Sequence, residues 1–144
     1  MQKYEFNDPE EVVYDSVAMN IAETKNVVAA SGRTEGDNAA LFASDAYALV
    51  LDALNADFGK NAFAVNIWLK PESTEGTQYY LCVGKEGVSQ RYFAIKSVDG
   101  KVVFEISDGW EISGIESDVA LNAGEWTSVT AVVTNTEQKL FING

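Results

Sequence analysis

A chain of 144 residues is long enough for one domain with a core of its own, and a composition that is 47% hydrophobic with only two prolines excludes a disordered chain. The net charge of −12 comes from 22 acidic and 10 basic residues, and the basic ones are scattered, which argues against nucleic-acid binding because that needs clustered Lys/Arg to displace phosphate counterions. No apolar run is long enough to span a membrane, and the lack of any histidine removes the commonest general base and zinc ligand.

Met1-Gln2-Lys3-Tyr4 is not followed by the apolar stretch of a signal peptide, so the start reads either as cytosolic or as a chain trimmed of its leader. Helical periodicity is weak. Tyr47, Leu51, Leu54 and Phe58 recur at three- and four-residue spacing, but Tyr47, Leu49 and Leu51 also alternate, and a strand over residues 46–51 followed by a turn at Asn55-Ala56-Asp57 is the expectation. Phe63–Leu69 is the clearest strand, with Phe63, Val65, Ile67 and Leu69 on one face and Ala64, Asn66 and Trp68 on the other. Lys70-Pro71 ends it. Strands are expected at 78–83, 91–97, 101–106, 125–133 and 139–142, with Asp99-Gly100 as a hairpin turn and Asp108-Gly109 as a second turn. The acidic run Asp108, Glu111, Glu116 and Asp118 reads as a solvated loop, and Cys82, the lone cysteine in an apolar run, as a buried free thiol. Short strands without helical crossovers imply antiparallel sheets packed as a sandwich, an all-β fold.

Leu140-Phe141-Ile142 leads into Asn143-Gly144, a favoured hairpin turn that should be followed by a returning strand. The expectation is one domain over residues 1–144 that lacks its usual last strands. Unpaired strand edges template pairing with another chain, so a complementing chain or fragment is an expected partner.

In chain order, these segments resemble the laminin-G-like domains of the concanavalin A-like lectin/glucanase superfamily, the bacterial forms above all. Tyr4-Glu5-Phe6-Asn7-Asp8 resembles the opening F-D strand and Asp15-Ser16 the D-S turn. Ala39-Ala40-Leu41-Phe42 and residues 47–51 resemble the G-A-L-x-F and Y-V-x-L segments, with Asn38-Ala39 where the family has glycine. Phe63 to Pro71 resembles F-T-V-S-x-W-V-K-P, Gly124 to Val129 resembles G-E-W-T-H-V, and Leu140 to Gly144 resembles L-Y-V-N-G. The resemblance implies a two-sheet jelly roll that binds carbohydrate, a glycoprotein or another protein at the cell surface or outside the cell. It places Trp68 and Trp126 at framework positions, where core packing is expected. It also implies a structural calcium ion near the chain ends, with Asp8 and Asp15 at the matching positions; turn formation is the competing role for both.

The same superfamily contains glucanases with an E-x-D-x-x-E strand. Here Glu105 and Asp108 differ by three positions and fall on opposite faces of a regular strand, whereas retaining hydrolysis needs two carboxyls about 5–5.5 Å apart. The expectation is therefore binding without catalysis. Trp110 follows the Asp108-Gly109 turn and is the leading candidate to stack on a sugar ring. Tyr79, Tyr80 and Tyr92 are weaker candidates behind it, since alternate strand positions must face inward. A protein-binding adhesion or structural accessory role is the alternative.

Overall fold

Alternation along the chain places one apolar stripe per strand, and the observed architecture follows from burying those stripes against each other. The computed structural model describes Lys3, Phe6 and residues 22–49, 62–84 and 91–144. All regular elements among the described residues are strands: β1 (Glu23–Ser31), β2 (Asn38–Leu49), β3 (Phe63–Leu69), β4 (Thr77–Gly84), β5 (Arg91–Val98), β6 (Lys101–Asp108), β7 (Ile112–Ala120), β8 (Thr127–Val133) and β9 (Gln138–Ile142). The chain divides into two compact units, Met1–Asn55 and Ala56–Gly144.

In the first unit β1 and β2 form an antiparallel ribbon, with a register shift between Lys25 and Val27 where Asn26 takes a positive φ of 55°. The expected strand at 46–51 is observed as far as Leu49, at the end of a longer strand. The expected turn at 55–57 and the candidate residues Asp8 and Asp15 lie outside the described residues.

The second unit holds two antiparallel sheets, β3-β8-β9 and β4-β5-β6-β7. Leu69, Val129 and Ala131 from the first meet Phe93, Ile95, Val102 and Phe104 from the second in one buried cluster, closed by Leu121. This is a sandwich in which each sheet donates one face. Phe63 stacks obliquely on Phe93 at 5.2 Å and Phe93 on Phe104 at 6.2 Å, within the range of favourable aromatic pairs. The β5–β6 hairpin closes through Asp99 (φ 48°) and Gly100 (φ 84°). Two successive left-handed residues match the twist of the flanking strands, and the Asp99 side chain accepts the Gly76 N–H at 2.9 Å.

Several expectations are corrected. Trp68 is not a core residue: alternation puts it on the face opposite Phe63, Val65 and Ile67, and it is 43% exposed. Trp126 is half-buried. Cys82 is exposed rather than buried. The cause is an irregularity in β4 between Tyr79 and Leu81, which turns both Tyr80 and Leu81 toward the core and so sends Cys82 outward. The acidic segment expected to be a loop contains β7, which pairs with β6 at the sheet edge; Glu116 and Asp118 lie on it, exposed. Glu116 is bonded to Lys101 at 2.9 Å.

Candidate functional site

The β6–β7 connection is built by side chains capping their own backbone. Asp108 Oδ1 accepts the N–H groups of Trp110 at 2.8 Å and Glu111 at 3.0 Å, and Ser107 Oγ accepts the Gly109 N–H at 3.1 Å. Arg91 Nε donates to the Asp108 carbonyl at 3.1 Å, tying the turn to β5. This is the local hydrogen bonding that makes Asp and Ser turn residues. Its result is that Trp110 is 91% exposed on a turn whose backbone donors are already engaged.

The two backbone N–H donors, Glu111 first and Trp110 second, hold the Asp108 carboxyl below the usual aspartate range. A depressed folded value means that the ionised side chain supports the turn fully above the ordinary aspartate range. That support is lost as pH falls through the lowered value. NMR amide shifts of Trp110 and Glu111 should therefore titrate together with a midpoint below that of an unstructured aspartate, and Asp108→Ala should abolish the transition. A midpoint at or above the ordinary value would contradict this account of the turn.

The three tyrosines expected behind Trp110 are placed differently from one another. Tyr80 packs against the core, and its hydroxyl lies 2.9 Å from Ser97 Oγ; burial raises its pKa. Tyr92 is on the face away from the core but is 1% exposed, so its ring offers no surface to a ligand. Tyr79 is exposed, with Lys96 Nζ 5.4 Å from its ring centroid.

The carboxylates considered for hydrolysis are engaged separately. Glu105 Oε2 accepts from Lys96 Nζ at 2.8 Å, while Asp108 caps the turn. A general acid needs a raised pKa, and that of Asp108 is lowered. No group of three His, Cys, Asp or Glu side chains that could hold a metal occurs among the described residues.

One further set of polar groups had no signal in the sequence. On the outer face of β3-β8-β9, Asn66 Nδ2 donates to Thr130 Oγ1 at 2.7 Å, Ser128 Oγ at 2.9 Å and the Val129 carbonyl at 3.3 Å. Asn66, Ser128 and Thr130 become neighbours only through the pairing of β3 with β8.

Residues 42–144 match the laminin-G-type family of the concanavalin A-like lectin/glucanases superfamily. The chain belongs to that superfamily. Its concanavalin A-like domain is also similar in fold to the crystal structure of part of an S-layer domain-containing protein from Clostridium thermocellum ATCC 27405. The TM-score is 0.61 at 20% identity, covering 99% of this chain and 68% of that one. A search of curated proteins gave no match to the chain. The match begins within β2 and includes every strand of both sandwich sheets, so the family framework and the core cluster coincide.

Proposed function

We propose that this concanavalin A-like domain is a non-catalytic binding domain that recognises carbohydrate at or outside the cell surface. The observation that carries the reading is Trp110. A side chain of that size, 91% exposed on a turn fixed by three backbone-to-side-chain hydrogen bonds, presents a flat apolar face at little entropic cost. The engaged state of Glu105 and the lowered pKa of Asp108 support a role without hydrolysis. The S-layer domain-containing neighbour supports a place at the cell surface.

Glycan-array binding of the wild type and Trp110→Ala tests the reading. The wild type should be retained by a subset of glycans, and the variant should bind them roughly tenfold more weakly, as expected for loss of one stacked aromatic contact. Because Trp110 touches little of the protein, the melting temperature should be unchanged. No retention of the wild type by any glycan would overturn the proposal, and the protein-binding accessory role would replace it.

A further inference from the structure

The outer face of β3-β8-β9 carries a polar strip between two aromatic rings. Trp68 pairs with Ser128 across β3 and β8, and Phe141 pairs with Thr130 across β8 and β9. The two aromatic residues thus sit two strands apart, roughly 10 Å across the sheet, and are 43% and 41% exposed. Ser128 and Thr130, on the central strand β8, lie between them, and Asn66 sits on β3 beside Thr130, two residues before Trp68.

The hydrogen bonding of the strip has a definite polarity. The Val129 carbonyl can only accept, so the group of Asn66 that faces it is the amide nitrogen. Its two protons go to Ser128 and Thr130, one of them shared with the longer 3.3 Å contact to the carbonyl, so both hydroxyls act as acceptors. Their own protons find no acceptor among the described residues, nor does Asn66 Oδ1 find a donor. The strip therefore offers two O–H donors and one carbonyl acceptor outward. All are uncharged and flanked by apolar ring faces. Lys139, on the same face of β9, is engaged with Glu137 at 2.9 Å.

We infer that this face is a second carbohydrate contact, a platform along which an uncharged glycan chain lies. Sugar hydroxyls both donate and accept, and the apolar faces of pyranose rings suit Trp68 and Phe141. A net charge of −12 disfavours an anionic polysaccharide. A polar centre is also the reverse of the apolar centre of a protein–protein interface. The inference rests on the carbohydrate reading above and extends it to a surface away from the β6–β7 hairpin.

Affinity electrophoresis through gels containing hydroxyethyl cellulose, xylan or mannan tests it, with Trp68→Ala, Phe141→Ala, Thr130→Val and Trp110→Ala compared with the wild type. Thr130→Val keeps shape and strand propensity while removing one donor, so it carries the test if Trp68→Ala fails to fold. The expected result is retardation of the wild type by at least one polymer. Trp68→Ala or Phe141→Ala should weaken retention roughly tenfold and Thr130→Val roughly threefold to tenfold. Retardation that depends on Trp110 alone would overturn the platform and leave the hairpin reading intact. No retardation of the wild type by any polymer would overturn both. A doubled mass in light scattering that Trp68→Ala or Phe141→Ala returns to 15.7 kDa would assign the face to a second copy of the chain and overturn the inference.

Discussion

Replacing Phe104 by alanine should lower the stability of the sandwich unit by about 3–5 kcal/mol, the range for removing a fully buried phenylalanine. Phe104 is 0% exposed and sits on β6 in the middle of the four-stranded sheet, facing the core. It stacks on Phe93, which stacks in turn on Phe63 from the opposite sheet, so the truncation opens a cavity on the path that joins the two layers. Neighbours such as Ile95, Val102 and Val129 are themselves 0% exposed and belong to strands locked by their ladders, so the site has little freedom to collapse. Small domains are stable by only about 5–15 kcal/mol, and the loss is a large share of that. Urea unfolding followed by tryptophan fluorescence measures it. A loss below about 1.5 kcal/mol would mean that the core repacks. A matched change at Trp110, outside the core, should leave the unfolding midpoint in place.

The strands that were legible in the sequence are those with one buried face. Phe63–Leu69 alternates because its inner residues meet Phe93 and its outer ones meet solvent. The β5–β6 hairpin was legible through Asp99-Gly100, a dipeptide chosen by the backbone geometry of the turn. β7 was not, because Ile115 is its one apolar residue packed against the core, flanked by Ser113 and Ser117 on the same face. Charged residues such as Glu116 and Asp118 are what a sheet edge uses to resist further pairing, and in a sequence they look like a loop. β1 escaped notice for a related reason. A two-stranded ribbon exposed on both faces imposes no alternation on Glu23–Ser31. Alternation itself placed Trp68 correctly on the outer face, and the framework resemblance then misassigned it to the core. At the candidate site, Asp108-Gly109 announced the turn that presents Trp110. The Asn66, Ser128 and Thr130 cluster spans more than sixty residues of sequence, and no local pattern encodes it.

Among the described glycines of the sandwich unit, Gly84→Ala should be the most damaging change, with an expected loss of about 2–4 kcal/mol from backbone strain and clash together. Gly84 ends β4 at a φ of +93°, a region that side chains with a Cβ rarely enter. A Cβ there would lie 2.4 Å from the Arg91 carbonyl oxygen and 3.1 Å from Tyr92 Cα. These are backbone atoms of β5, where Gly84 pairs with Tyr92, so relief requires the ladder itself to move. Tyr92 is buried and holds that part of β5 in place. Gly76 supplies the control: its φ is also positive, at +68°, but a Cβ there would meet nothing within 4 Å. Gly76→Ala should therefore show the strain alone, about 1–2 kcal/mol, and the difference between the two variants isolates the close approach of β4 to β5. Thermal unfolding of both, side by side, gives that difference. Equal losses in the two would show that β4 can retreat from β5 at Gly84, and that the tight packing of the two strands there contributes nothing to stability.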